Sequence, residues 1–483
     1  MKFRLQRFLL SIALSVAALT ATALDLPVKN IGGELYYYYK VEKKESVYGI
    51  AKRLGISQEE IVRHNPDAAD GIRKGMTLIF PFDEYADSTP ADNGAEVSDA
   101  APEATIDTAT TVSTSSVALL LPLGLDAAEP SRTNELALDF YKGFLIGVNN
   151  LDFSTDLVEL NVFDTEDGSR SFGELLGDSA VCGADVIIAP SDPSQLSALA
   201  ANASAGNSYV FNVFSVHDSL YLTCPKVLQA NIPQRQMYEH AADAFLEDYE
   251  DYVPVILRNR TGKNEKEAFV GYLTERLAAK GIEPRVVEYE GNLVASKLEE
   301  LKIQPGQKYV AVPTSGSLDD FNKFAYALRS FRERLNRTGS ETDGEDTLPE
   351  QDTCFELFGY PDWTAFRGDA LELLHSLGAT IYSRFFNDFN SEKIVNFDND
   401  FRYWYGDGFI ESIPCQSLLG HDTAAFIIGN LRANGGVFNP DSQSVFKGIQ
   451  SDFRFEKSGE GYCNDVLFII SYLSSGEVTS RTL

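Results

Sequence analysis

The chain has 483 residues, 44% of them hydrophobic and 11% aromatic, with a formal net charge of −30. That apolar content suffices for a large packed core and excludes a wholly disordered protein, and the length predicts several domains. The acidic balance argues against nucleic acid and anionic membrane surfaces as partners, because both are met by cationic patches.

Lys2, Arg4 and Arg7 precede an apolar stretch from Phe8 to Leu19, and Ala21-Thr22-Ala23 supplies the small-x-small pattern of signal peptidase sites. Residues 1–23 therefore read as a cleaved signal peptide. The run of ~12 apolar residues falls short of the ~20 that span a bilayer. No later run is long and apolar enough to span, so the mature protein is expected to be exported, periplasmic and without a transmembrane segment. Export permits disulfides. The cysteines are Cys182, Cys224, Cys354, Cys415 and Cys463, an odd set of which at least one stays free or pairs between molecules, and it contains no C-x-x-C.

Residues 34–82 read as a compact module. Tyr36 to Val41 suits a strand, and Ser46 can cap a helix running to Leu54, with Gly55 as its stop. Ser57 and Glu60 form a capping box for a second helix, Asn65-Pro66 closes it, and Met76 to Phe80 supplies a second strand. This β-α-α-β module resembles the LysM family. Tyr39-Lys40-Val41, Glu45-Ser46-Val47-Tyr48-Gly49-Ile50-Ala51, Gly55-Ile56-Ser57, Asn65-Pro66, Gly75 and Ile79-Phe80-Pro81 follow the family order. Lys44-Glu45-Ser46 replaces the usual Gly-Asp-Thr and keeps a capping hydroxyl. The resemblance implies binding of N-acetylglucosamine-containing glycan, peptidoglycan in bacteria. By position, the groove would be lined by Glu45, Ser46 and Val47 on one side and Asn65, Pro66, Ile72 and Arg73 on the other. From Lys40 to Pro81 there are eight bases and six acids, a sign that suits an anionic wall polymer. For Asn65, a purely structural cap fits the residues equally well.

Residues 84–116 are rich in Ala, Ser, Thr and Pro, with acids at Glu84, Asp87, Asp92, Glu96, Asp99, Glu103 and Asp107 and no base. Such a segment cannot bury enough apolar surface to offset its chain entropy, and it is expected to be a disordered, self-repelling tether. Within it, Asp87-Ser88-Thr89 and Asp107-Thr108-Ala109 resemble the sites at which exported Bacteroidota proteins are O-glycosylated.

From Val117 onward strands and helices alternate. Val117 to Pro122 and Asp185 to Pro190 are continuous apolar runs of the kind found in parallel strands buried on both faces. Phe140, Phe144, Val148 and Leu151 line one face of a helix between them. The alternation continues through strands at Tyr209–Phe214, Lys226–Ala230, Val253–Leu257, Arg285–Tyr289, Tyr309–Val312 and Cys354–Gly359, with intervening helices that include Leu318–Leu335 and Trp363–Leu377. This predicts an α/β fold of βαβ units, too long for one doubly wound sheet and better divided into two. The order of segments resembles the type 1 periplasmic binding fold, that of leucine-binding-protein-like domains. The pieces that carry it are Val117–Pro122, Asp139–Phe144, Phe163-Asp164-Thr165-Glu166, Ala184–Ser191, Gly420-His421-Asp422-Thr423-Ala424-Ala425, and the tail from Phe446 to Phe468.

That resemblance implies two lobes joined by three crossovers, with a ligand held in the cleft at the strand C-termini. Crossovers are expected near Asn231, Ser383 and Gly448. Lobe one would comprise residues 117–231 and 384–447, and lobe two 232–383 and 448–474. Cleft candidates are Pro190, Ser191, Phe214 and Ser215 from lobe one, and Arg258, Thr314, Gly359, Tyr360 and Asp362 from lobe two. In amino-acid-binding relatives, lobe-one hydroxyls and amides hold the carboxylate and a lobe-two acid meets the ammonium; Ser215 and Asp362 would take those roles. Phe214-Ser215-Val216-His217 lacks the hydroxyl-rich run of those relatives. Cys182 ends a helix entering one central strand and Cys224 precedes a neighbouring strand, so a Cys182–Cys224 disulfide is expected in lobe one.

Tools of catalysis are missing. The five histidines never fall in metal spacing, and the nucleophile-elbow, dinucleotide and P-loop patterns are absent. His421-Asp422 reads as a helix start, where an acid is favoured by the dipole. No enzyme, cofactor or metal is expected. The leading expectation is a peptidoglycan-anchored periplasmic binding protein that closes on a small solute, amino-acid-like ligands being one candidate class. The alternative is a regulator or scaffold of wall synthesis that uses the same fold to bind a protein partner.

Overall fold

The computed structural model describes residues 28–31, 34–41, 45–54, 58–65, 68, 71–73, 76–81, 114–150, 157–216, 219–304, 306–338, 354–389, 391–441 and 444–483. The expected signal peptide, the acidic tether up to residue 113 and both glycosylation tripeptides lie outside these residues. The chain divides into two compact units, one holding the small module and the other running from residue 111 to the C-terminus.

In the small unit, β1 (Val28–Ile31) pairs antiparallel with β2 (Glu34–Lys40), which pairs antiparallel with β3 (Thr77–Pro81). β1 was not expected from the sequence, where the module was placed from residue 34. Helices Val47–Leu54 and Gln58–His64 follow β2. Val47, Ile50, Ala51 and Leu54 recur at helical spacing. They meet Tyr37, Val41, Ile61, Leu78 and Phe80 in one small core. Ser46 caps as expected, its Oγ accepting the Gly49 N–H at 3.2 Å.

The large unit contains two mixed sheets. The first is built from β4 (Thr114–Leu121), β5 (Leu157–Asp164), β6 (Val186–Ile188), β7 (Tyr209–Asn212) and β8 (Val227–Gln229), all parallel. The second uses β9 (Tyr252–Asn259), β10 (Arg285–Tyr289), β11 (Lys308–Pro313), β12 (Phe355–Gly359) and β13 (Ala379–Ser383), again parallel. After a hairpin of β14 (Phe446–Lys447) and β15 (Asp452–Phe453), β16 (Phe455–Ser458) and β17 (Gly461–Asn464) join the first sheet. Then β18 (Phe468–Tyr472) and β19 (Val478–Thr482) close the second. The strand orders are β16-β17-β8-β7-β6-β4-β5 and β10-β9-β11-β12-β13-β18-β19. This is the two-lobed α/β architecture expected from the alternation.

Several boundaries move. β4 begins at Thr114, inside the stretch read as tether. Ser115 and Ser116 pair with Val158 and Glu159, and the Ser116 N–H reaches the Asp185 carboxylate at 2.8 Å. Polar side chains hid a strand whose backbone partners run its full length. The chain passes from the first sheet to the second after β8, back after β13, and a third time at residues 465–467, not at Gly448. The reason is that Phe453 and Phe455 belong to the core of lobe one, their rings 5.8 and 5.5 Å from Phe211, and β17 runs parallel to β8. Residues 448–464 are therefore lobe-one residues. The domain also continues past residue 474, because β19 pairs along β18 up to Thr482.

The segment read as one helix from Trp363 to Leu377 is a single tight turn, Pro361–Ala365, followed by the helix Asp369–Ser376. Gly368 at φ 56° breaks it, a conformation that side-chain-bearing residues disfavour. The expected Cys182–Cys224 disulfide is not formed; both thiols are free. Cys182 is exposed, with its thiol donating to the Leu176 carbonyl at 2.9 Å, whereas Cys224 packs against the core on one face of the sheet.

Candidate binding sites

On the small unit, Val47 and Ile72, from the two loops expected to form the groove, pack against the same core, so both loops sit on one support. Ser46 and Arg73 are exposed and Glu45 half-buried, the latter accepting the Tyr39 hydroxyl at 2.7 Å. Pro66 lies outside the described residues. Asn65 is buried. Its Nδ2 donates to the Ile61 and Ile79 carbonyls at 2.9 and 3.0 Å and its Oδ1 accepts the Ile79 N–H at 2.8 Å. Both amide donors are thus spent on tying the end of a helix to β3.

At the strand ends of lobe one, Pro190 is buried and Ser191 exposed. The Phe214 ring meets Phe140 edge-on at 4.9 Å. The Ser215 N–H donates to Asn212 Oδ1 at 3.3 Å, and its carbonyl accepts from Gln229 at 2.7 Å and Asn231 at 3.3 Å. The backbone of Ser215 is held inside an amide network, while Ser191 still faces solvent.

Lobe two is more fully occupied by its own side chains. Thr314 is buried, its hydroxyl 2.5 Å from Asn264 Oδ1 and 3.2 Å from the Leu257 carbonyl. Arg258 grips Glu267 through two bonds of 2.8 and 3.1 Å. Tyr360 has no exposed surface and donates its hydroxyl to the Pro313 carbonyl. Burial pushes its phenol well up, so it stays neutral. Trp363 lies over Gly359 so closely that a Cβ there would come within 1.9 Å of its ring, and its Nε1 donates to the Gly316 carbonyl at 3.0 Å. Asp362, expected to meet an ammonium group, is instead paired with Lys266 at 2.6 Å. Thr314, Tyr360 and Asp362 are thus each held by other groups of their own lobe, and Gly359 is covered by Trp363.

Residues 39–81 match the family model described as LysM domain. This small unit is a LysM domain. No curated protein matches the chain. The large unit superimposes with TM-score 0.52 on a protein of Rhodospirillum rubrum described as a branched-chain amino acid ABC transporter; the match is 12% identical and covers 76% of this chain and 100% of that one. That likeness shows the type 1 periplasmic binding fold. LpoA of Haemophilus influenzae is matched at 15% identity and TM-score 0.43 over 77% of this chain. The present chain spans 59% of LpoA's length. An ABC transporter substrate-binding protein of Desulfitobacterium hafniense, in complex with Leu, matches at 13% identity and TM-score 0.40, covering 76% of this chain and all of that one.

Beyond the LysM domain, two side chains at the crossings of the type 1 fold escaped sequence reasoning. Asp422 does not start a helix; it lies inside the helix Gln416–Ala433, fully buried. Its carboxylate accepts the N–H groups of Ile449, Gln450 and Ser451, each at 2.8 Å, and so shapes the turn between β14 and β15. Gln450 in turn accepts from Asn387 at 3.0 Å and from the Cys415 N–H at 2.8 Å. Arg384, on the second crossing, donates its Nε to the Ile232 carbonyl on the first at 3.0 Å. The three crossings are laced further by Asn464 to the Ala230 carbonyl at 3.0 Å and by Arg454 to Asp465 through two bonds of 2.8 Å. Between them remains a cavity of only about 10 Å³, no more than one water. An open depression of about 590 Å³ lies between helices Gln234–Asp248 and Glu267–Ala279, lined by Gln234, Arg235, Tyr238, Tyr272 and Glu275.

Proposed function

We propose that this is a non-enzymatic, peptidoglycan-anchored protein of the periplasm, whose type 1 domain binds a protein partner of the cell wall instead of clamping an amino acid. The LysM domain supports the anchor: its family binds N-acetylglucosamine-containing glycan, and Ser46 and Arg73 are exposed on loops that share one core. The observation that carries the second half is the strand-end region of lobe two. Thr314 is buried against Asn264, Tyr360 is sealed beneath Trp363, and Asp362 is neutralised by Lys266. An amino-acid ligand held there would have to compete with Lys266 for Asp362, and would find the Thr314 and Tyr360 hydroxyls already bonded within the lobe. A solute receptor remains the second reading, and what favours it is the exposed Ser191 at a strand end of lobe one.

Two measurements on mature protein from its native host test the proposal. Mass spectrometry of small molecules released on denaturation should find no amino acid at one per chain. Crosslinking on intact sacculi should join residues of the type 1 domain to the same wall protein in repeated preparations. A stoichiometric amino acid, or crosslinks confined to the LysM domain, would overturn it.

A further inference from the structure

Two-lobed binding proteins close on a ligand by a hinge, in which a few crossing residues absorb the whole change in backbone angles. In this chain each crossing is fastened to both lobes. On the first, Ala230 is buried in the core of lobe one and Ile232 in that of lobe two, and Asn231 between them donates to the Val213 carbonyl at 2.7 Å. On the second, adjacent rings divide in the same way. Phe385 packs against the core of lobe one and Phe386 against that of lobe two, its ring 6.3 Å from Phe468. The Phe386 N–H meanwhile donates at 3.1 Å to the carbonyl of Gln450, on the lobe-one turn that Asp422 shapes. On the third, Asp465 is gripped by Arg454 of lobe one, while Leu467, two residues later, lies in the core of lobe two.

We propose that the three crossings form a clamped hinge, which holds the two lobes at one angle so that the domain presents a fixed surface and does not close. A crossing fastened only at its ends could still twist. These are also fastened to one another: Arg384 of the second to the Ile232 carbonyl of the first, and Asn464, where the third begins, to the carbonyls of Ala230 and Asp452. Directly after the first crossing, the Pro233 ring fixes its own φ, here −62°. Rotating one lobe would pull a ring from its core or leave the buried amides of Asn231, Gln450 and Asn464 without partners, and both are strongly disfavoured. The cavity among the crossings, about 10 Å³, leaves no room for those side chains to repack. The clamp stands whether or not a protein docks on the domain.

The test is pulsed electron double resonance on the full mature chain, with spin labels carried on p-acetylphenylalanine so that the native thiols stay untouched. One label sits at Asn207 in lobe one and the other at Lys280 in lobe two, both exposed positions. A control pair at Lys280 and Glu300 lies wholly within lobe two. The distribution between the lobes is expected to have one maximum, to be no wider than the control, and to stay unchanged when leucine is added in excess. In the double variant Phe385→Ala/Phe386→Ala it is expected to widen at least twofold. The comparison with the control uses the crossings unaltered, so it holds even if the double variant folds poorly. A second maximum, a width beyond the control or a shift with leucine would overturn the clamp, and an unwidened distribution in a folded double variant would overturn the role of the two rings. Sacculus crosslinking reads the proposed partner separately, so failure of either reading leaves the other standing.

Discussion

Asn65 and Asp422 do similar work in the two units: each is a buried polar side chain that spends its hydrogen bonds on backbone from another segment. For Asp422 three N–H groups converge on one carboxylate, and an amide in its place offers one acceptor oxygen where there were two. Asp422→Asn should therefore destabilise the large unit by about 3 kcal/mol, read by denaturant unfolding. A change under 1 kcal/mol would mean that the turn holds its shape without the carboxylate. Asp139 offers a test with a sign. Burial in helix Arg132–Asn149 pushes its carboxyl up, against opposing bonds from the Ile410 N–H and Ser417. A group whose pKa is raised on folding binds more protons in the native state, so its contribution to stability falls as pH rises from the ordinary carboxylate range through the raised value. Asp139→Asn should gain on the unaltered protein between pH 3 and pH 7. A constant difference across that range, or one that shrinks, would contradict this assignment. Asn65 was legible as either cap or ligand, and its three backbone bonds are those of a cap. Arg384 was illegible, because nothing in a linear sequence reports that its Nε meets the Ile232 carbonyl on another crossing.

Strands buried on both faces were legible because a continuous apolar run has few other homes. Among those that escaped were β1, the first residues of β4, β13, β19, and β16 with β17, whose Glu456, Lys457 and Ser458 carry no apolar signature. Missing β16 and β17 displaced the third crossing by about one hairpin. The helix pair Arg132–Asn149 and Gln416–Ala433 shows the opposite case, since Gly143 and Gly420 stood in motifs quoted for family resemblance while their reason is steric. A Cβ on Gly143 would lie 1.8 Å from the Ser417 carbonyl oxygen, and one on Gly420 2.0 Å from that of Phe140. The helices cross where neither has a side chain. Gly143→Ala forces them apart and should cost about 3 kcal/mol in thermal or denaturant unfolding, with residues at the far end of the lobe unaffected. A neutral result would show that the helices yield without penalty.

At the scale of the whole molecule, a LysM domain and a type 1 periplasmic binding fold share one chain with an acidic stretch between them. The LysM domain carries the proposed location and the larger domain the proposed recognition. Their division of labour explains why a chain of net charge −30 is expected to hold an anionic wall: the contact is assigned to the one module in which bases outnumber acids. The architecture was legible in composition and segment order, but the cleft's chemistry was not, because position along a strand says where a side chain sits and nothing of whether its own lobe already holds it. The most direct test is co-sedimentation with purified peptidoglycan of the mature chain and of a chain lacking residues 24–83. The account predicts that the mature chain pellets with the wall polymer and the shortened chain stays in the supernatant. Equal pelleting of the two would contradict it.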